Sequence, residues 1–508
     1  MILNRENLGK IEASVALQKP EPEMLHLPEK VLQFGTGVLL RGLPDYFIDK
    51  ANRNGIFNGR VVVVKSTDKG GTSEFDDQDG LYTICVRGIE DGQKVEENII
   101  SAAISRVLTA SKDWAEILKL AANPAIEIVI SNTTEVGIQL TEDNILLEPP
   151  VSFPGKLLAV LLARFRAFDG DKTKGLIIVP TELIPDNGTK LKNIVKEQAT
   201  RHHLDVDAEF MQWLEESNIF CNTLVDRIVP GKPDAQTLAR LEQELGYHDE
   251  LLTMSEVYRL WAIEGDEQVK QALSFAEVDN GVVITPDINI HRELKLRLLN
   301  GTHTLSCGVA VLAGIKTVKE AMDNPDMANF ISALMQDDIA PAIPYPVAPE
   351  ASADFARKVL DRFRNPHIEH QWLSITMNYT AKLKMRVIPV LSRYYETASQ
   401  APENIAFGFA AYLLFMRATE TQNGKYFGTL NGEQYPINDE SAAYFYQVWQ
   451  QQEGDELVDA VLRNQELWGI DLTALPGFAA AVKKQMNSIQ TLGISAVIKN
   501  LDVKQVSA

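Results

Sequence analysis

Val31-Leu32-Gln33-Phe34-Gly35-Thr36-Gly37 is the stretch that sets the fold of the first half of this chain. Three apolar residues and a glutamine read as a short buried strand. Gly-x-Gly follows directly, and then an apolar run that ends at Arg41-Gly42 and reads as a helix. Strand, Gly-x-Gly, helix is the order in which a backbone can approach a pyrophosphate at a helix N-terminus. The third glycine of the usual pattern is missing, and Leu40 stands in its place. Phe34, Gly35, Thr36, Gly37 and Arg41 are the candidate cofactor residues here. A tight turn without a ligand, with Arg41 a plain surface arginine, is the alternative.

Moving outward, Arg60-Val61-Val62-Val63-Val64-Lys65 is apolar and β-branched throughout, as a buried parallel strand should be. The residues at its end choose between NAD and NADP in such folds. Asp68 is placed to accept from a ribose hydroxyl, and Lys65 to attract a 2′-phosphate. Ile126 to Ile130 is another buried strand, with Asn132, Thr133 and Glu135 just past its end. Ligands gather at the carboxyl ends of strands in open α/β sheets, so these three are candidates for the nicotinamide side. A polar turn is the plain reading. A helix over 158–168 and strands over 175–179 and 282–286 complete the alternation. Beyond residue 286 apolar residues recur at the helical period. Helices are expected over 304–313, 325–336, 351–364, 368–397, 403–418, 440–451, 455–466 and 475–488, and a proline-rich rigid loop over 341–349. The fold expected is a Rossmann-type α/β dinucleotide-binding domain over 1–285 followed by a mostly α-helical domain over 286–508.

At 508 residues the chain is too long for one compact core. A net charge of −20 argues against nucleic acid or an anionic membrane as partner, though not against a small anionic substrate. The three cysteines, Cys85, Cys221 and Cys307, are far apart, odd in number and without metal spacing. No signal-peptide pattern or membrane-length apolar run is seen. A cytoplasmic protein, monomer or small homo-oligomer, is the expectation.

The second half carries Lys295-Leu296-Arg297-Leu298-Leu299-Asn300-Gly301-Thr302-His303, that is Lys-x4-Asn-x2-His. A lysine among leucines is poorly hydrated, which lowers an amine's pKa toward that of a useful base. Asn300 and His303, three apart, share a helix face and can both donate to one oxygen. A base beside two donors suits alcohol–ketone interconversion with a hydride-carrying cofactor. An apolar packing helix is the competing reading. On a straight helix Lys295 and His303 would lie roughly 12 Å apart, so Lys295 is expected either just before the helix or reaching along it.

Lys295-x4-Asn300-x2-His303 resembles the motif of the polyol-specific long-chain dehydrogenases, the mannitol dehydrogenase family. Similar segments are Gln78-Asp79-Gly80-Leu81-Tyr82-Thr83, Val225-Asp226-Arg227-Ile228-Val229-Pro230 and Arg364-Asn365-Pro366-His367-Ile368. The resemblance implies an NAD-dependent, metal-independent oxidoreductase in which Lys295 is the general acid/base and Asn300 and His303 polarise the carbonyl. Asp226 is either a structural ion-pair partner or a group that tunes the lysine. The family's polyol-holding Asn and Arg correspond to Leu183 and Ser374 here, which speaks against neutral polyols and for the altronate-type branch. That branch implies a sugar-acid substrate, D-altronate with D-tagaturonate, whose carboxylate would pair with Arg364, Lys382 or Arg386. Alternatives are a related specificity, such as mannonate/fructuronate or mannitol, and a non-catalytic dinucleotide-binding redox sensor.

Overall fold

The computed structural model describes residues 1–12, 16–67, 70–133 and 137–501. The chain divides into two compact units, Met1–Gly88 with Lys94–Ile288, and Ile89–Gln93 with Asn289–Ala508. A six-stranded sheet organises the first. In spatial order its strands are Ile104–Thr109, Arg60–Lys65, Glu29–Phe34, Ile128–Ser131, Ile177–Pro180 and Ile219–Phe220, each adjacent pair parallel. Numbered along the chain this is 3-2-1-4-5-6, the doubly wound order, with its topological switch between Glu29–Phe34 and Ile128–Ser131.

The apolar runs are continuous because both sheet faces are covered. Val31, Val61, Val63, Ile128 and Ile130 face one core with Phe47 and Ile48 of the helix Pro44–Arg53. Leu32, Phe34, Val62, Val64 and Val129 face the other, with Trp114, Leu157, Leu161 and Val195. Two smaller sheets flank this one: Leu17–Gln18, Gln93–Ser101, Tyr82–Glu90 and Thr253–Glu256, and Thr223–Asp226, Leu260–Glu264 and Val282–Thr285. The strand expected over 282–286 therefore belongs to a separate three-stranded sheet. Among the described residues no helix is long and apolar enough to cross a membrane.

The second unit is mostly helical, with two corrections to the sequence reading. The single helix expected over 368–397 is three pieces, Trp372–Ile375, Tyr379–Arg386 and Ile388–Tyr394. Asn378 enters the second piece in the left-handed region (φ 53°), and Pro389 cannot donate the N–H that would join the second to the third. The second correction is an antiparallel sheet, Glu420–Gln422, Lys425–Leu430 and Glu433–Ile437, in the gap between the helices expected over 403–418 and 440–451, where no element was foreseen. Its turns are Asn423-Gly424 and Asn431-Gly432, all four residues at positive φ, which is the strongest short-range hairpin signal there is. The polar, largely exposed strands hid it from a search for apolar periodicity.

Candidate active site

In the first unit the glycine turn leaves the end of Glu29–Phe34. Gly35 has φ 128°, and a Cβ there would lie 2.9 Å from the Asn132 carbonyl oxygen and 2.9 Å from Leu40 Cδ1. It is therefore glycine for the protein's own reasons. Gly37 is different. It is exposed at the N-cap of the helix Val38–Gly42, and a Cβ there would meet nothing within 4 Å. That open cradle fits a dinucleotide pyrophosphate. Leu40 is fully buried against Gly35, and the helix-packing role of the absent third glycine falls to Gly42, whose Cβ would lie 2.8 Å from Val229 Cγ1.

The other candidates of this unit serve mainly as scaffold. The Phe34 ring is in the core, 5.2 Å from that of Phe153. The buried Arg41 guanidinium donates to the Thr36 carbonyl at 3.0 Å and to Thr253 Oγ1 at 3.3 and 3.4 Å, so it braces the loop from behind. Asn132 donates from its side chain to the Thr181 carbonyl (3.0 Å) and hydroxyl (2.9 Å). Thr133 donates from its amide (2.8 Å) and hydroxyl (2.9 Å) to Glu182 Oε1, and Ser131 donates to Oε2 at 3.1 Å. The buried Glu182 thus ties together two strand ends at the carboxyl edge of the sheet. Sequence reading passed over it, although an acid two residues past the strand Ile177–Pro180 was its signal. Lys65 is buried and donates from its ammonium to the Thr67 carbonyl at 2.5 Å. Asp68 and Glu135 lie outside the described residues. Asp226 is buried at the end of Thr223–Asp226. Its neighbour Arg227 donates to the carbonyls of Gly42 (2.6 Å) and Glu256 (2.9 Å) and lies 4.4 Å from the Tyr46 ring centre; burial pushes it down to about 10. Leu183 is 62% exposed.

In the second unit Lys-x4-Asn-x2-His does not sit at a helix entry. Residues 289–312 form one continuous helix, Asn289–Leu294, then a π-helical segment Lys295–Gly301, then Thr302–Leu312. The π winding changes which side chains meet. On an α-helix residues five apart diverge by about 140°. In a segment whose bonds close at i+5, the fifth residue returns near the side of the first. Lys295 and Asn300 are therefore brought to one side, and His303 follows three residues on. Lys295 and Asn300 are half-buried, while His303 is 9% exposed.

The His303 ring stacks on Phe363 at 4.2 Å and meets His370 and Trp372 edge-on at 5.2 and 5.7 Å. Burial, then the charges of His370, Arg362, Arg386 and Lys382, hold its pKa well below the usual histidine value. Its Nε2 is buried with no hydrogen-bond partner among the described residues. Arg386 donates from Nη1 to Thr304 Oγ1 at 3.0 Å and to the Asn300 carbonyl at 3.4 Å. Lys382 donates to the Ile375 carbonyl at 2.9 Å, and burial lowers its pKa. Arg364 does not join this group. It is exposed, with Asp361 3.6 Å from its Nη1. Arg362, which the sequence reading did not select, is buried on the inner face of Pro349–Phe363 and acts on His303. Its place was legible: Phe355, Val359 and Phe363 mark the apolar stripe, and position 362 falls on it. Among the described residues, no group of three His, Cys, Asp or Glu is arranged to hold a metal ion.

The profile of the mannitol dehydrogenase Rossmann domain matches residues 29–277, and that of the mannitol dehydrogenase C-terminal domain matches 287–490. The chain belongs to the mannitol dehydrogenase family. Within this family it is 39% identical over 477 residues to an altronate oxidoreductase of Bacillus subtilis (strain 168), covering 93% of this chain and 95% of that one. It is 39% identical over 484 residues to an altronate oxidoreductase of Cronobacter sakazakii, covering 93% and 97%. The Pseudomonas fluorescens mannitol 2-dehydrogenase in ternary complex with NAD and D-mannitol superposes with a TM-score of 0.66 at 23% identity, covering 99% of each chain. A D-sorbitol dehydrogenase in substrate-free form superposes at 0.76 with 21% identity, covering 98% and 100%. These two structures share the fold.

Proposed function

We propose that this member of the mannitol dehydrogenase family is an NAD-dependent oxidoreductase that interconverts D-altronate and D-tagaturonate. One observation carries the reading: 39% identity to an altronate oxidoreductase over nearly the full length of both chains. The doubly wound sheet and the open cradle at Gly37 support a dinucleotide. Lys65, its ammonium engaged by the Thr67 carbonyl, favours NAD over NADP. A nicotinamide cofactor would supply the hydride acceptor for oxidation of the carbinol carbon and the hydride donor for the reverse reaction. In oxidation Lys295 takes the hydroxyl proton, and in reduction it gives that proton back. The Asn300 side-chain amide and the His303 imidazole donate to the same oxygen as it gains and loses charge. His303 stays neutral in this role, a single N–H donor rather than an acid, because its buried, cation-flanked site disfavours a second proton.

The test is a matrix of initial rates with altronate, mannonate and mannitol, each with NAD and NADP, read by nicotinamide absorbance. Altronate with NAD should lead by at least an order of magnitude in kcat/KM; preference for mannitol would overturn the assignment. Lys295→Ala should abolish turnover and leave the NADH affinity near wild type. Near wild-type turnover in that variant would remove Lys295 from the mechanism.

A further inference from the structure

Hydride transfer gives Arg227-Ile228-Val229-Pro230 no part, yet this stretch lies against both ends of the helix Val38–Gly42 that follows the glycine turn. At the far end Arg227 Nη1 donates to the Gly42 carbonyl at 2.6 Å, across 185 positions of sequence. Val229 Cγ1 and Cγ2 lie 2.8 and 2.9 Å from where a Cβ of residue 42 would stand. At the near end Val38 Cγ1 lies 3.0 Å from where a Cβ of residue 231 would stand, and Gly231 has φ 84°. Two glycines, one on each segment, thus let the segments touch. The stretch is itself fastened to the strand Thr253–Glu256. The Met254 amide donates to the Gly231 carbonyl at 2.8 Å and the Glu256 amide to the Ile228 carbonyl at 2.9 Å. Arg227 Nε donates to the Glu256 carbonyl at 2.9 Å, and the Ile228 amide to Glu256 Oε1 at 2.6 Å. Arg41, from the helix, reaches the same strand through Thr253 Oγ1.

We propose that Arg227 and Val229 are positioning residues for the dinucleotide: they are the bed on which the helix Val38–Gly42 lies, and they set where its Gly37 end meets the pyrophosphate. The inference rests on the proposed function, and it assigns cofactor affinity to residues far from the glycine turn in sequence. Five residues span about 7.5 Å, too few to hold a helix by its own hydrogen bonds. Its direction is therefore set by what it packs on. The Gly42 carbonyl is one of those that a helix leaves without an internal partner at its end. It is buried, and Arg227 satisfies it. The same guanidinium lies over the Tyr46 ring of Pro44–Arg53, so one side chain ties both sides of the break at Leu43. Lifting the Gly42 end pivots the other end, and hydrogen bonds to a phosphate weaken steeply when their donors are misdirected.

The experiment titrates NADH by fluorescence into the full chain and its variants, with thermal melts and rates at saturating altronate as further readouts. Gly42→Ala should weaken NADH binding by about tenfold or more, because its methyl must displace Val229 and move the helix. Val229→Ala removes both methyls and leaves the nearest Val229 atom, Cβ, at 3.4 Å, an ordinary contact. In that background Gly42→Ala should cost less than about threefold. Arg227→Met should raise the NADH Kd by about tenfold, the scale of one lost charge-assisted hydrogen bond, and Arg227→Lys should recover part of it. In each weakened variant the KM for NAD should change several-fold more than kcat. Were Gly42→Ala not to fold, return of fold and affinity together in the double variant would support the bed. Gly42→Ala costing the same in both backgrounds overturns it. So does an Arg227→Met that melts early yet binds NADH as wild type does. A wild type that binds no NADH overturns the bed and the dinucleotide reading together. Suppression in a protein that binds NADH but does not turn over altronate would support the bed and overturn the altronate assignment alone.

Discussion

Arg297 supplies the hydrogen bond that Pro389 withholds from Met385. Its Nη1 donates to the Met385 carbonyl at 2.6 Å and to that of Arg386 at 2.9 Å. In a continuing helix Met385 would be met by the N–H of residue 389, which proline lacks. The other edge of the guanidinium is held by Glu293, at 2.8 Å from Nε and 3.3 Å from Nη2. A residue inside the π segment thus fastens the turn that carries Arg386. Arg297→Met should destabilise the fold by roughly 2–4 kcal/mol, since it orphans two carbonyls and leaves Glu293 unpaired. In a Pro389→Ala background the restored N–H takes over one of these bonds, and the same change should cost about 1 kcal/mol less. Urea unfolding of the four proteins measures the coupling. Strict additivity would show that the two positions do not share the Met385 carbonyl.

The π winding makes a prediction about register. If Lys295 meets Asn300 because the segment closes at i+5, moving the lysine one residue along should not serve. The double variant Lys295→Leu/Leu296→Lys places the amine at i−4 from Asn300, its natural neighbour on an α-helix. It should be as inactive as Lys295→Ala, below about a thousandth of wild-type kcat, which is what loss of a general base plus its orientation implies. Recovery of more than a tenth of kcat would mean the segment winds as an ordinary α-helix in solution.

The two glycines of the turn should separate fold from ligand. Gly35→Ala meets the Asn132 carbonyl at 2.9 Å with its backbone at φ 128°, and should lower stability by about 1–3 kcal/mol. Gly37→Ala meets nothing in the protein. It should melt like wild type yet bind NADH at least about tenfold more weakly, because its methyl fills the place of a phosphate. Fluorescence titration and thermal melts decide this. Unchanged NADH affinity in Gly37→Ala would move the pyrophosphate elsewhere.

His303 also leaves a mark on the pH dependence of stability. Its folded pKa lies well below the unfolded value of 6.5, so below pH 6.5 the unfolded chain binds a proton that the folded chain refuses. Stability then falls on acidification, by up to about 1.4 kcal/mol per pH unit for one such group, and is flat with respect to it above 6.5. His303→Gln should remove that share of the slope between pH 6.5 and 5 and change nothing in slope above pH 7. Equal slopes in variant and wild type would mean that His303 titrates normally. His291 and His370, also lowered by burial, add slope of the same sign, while Asp45 and Asp338, raised by burial to about 7 and about 6, contribute slope of the opposite sign.

Much of this molecule was legible in its residues. Valine and isoleucine runs announced a sheet covered on both faces, Gly35-Thr36-Gly37 marked the turn at the end of its first strand, and Lys-x4-Asn-x2-His carried the family likeness. These signals are local or periodic, and a short window contains them whole. The stripe of Phe355, Val359 and Phe363 puts Arg362 on the inner face of its helix, yet what Arg362 acts on there was not legible, since His303 and His370 come from other segments. The same holds for the break at Pro389, where the proline is visible but the arginine that makes the break tolerable is 92 residues earlier. What the chain order alone determined is the fold class and four of the six strands of the main sheet. Which side chains meet was left to tertiary structure, because the packing around His303 and the carbonyl clamp of Arg297 are set by contacts between segments far apart in sequence.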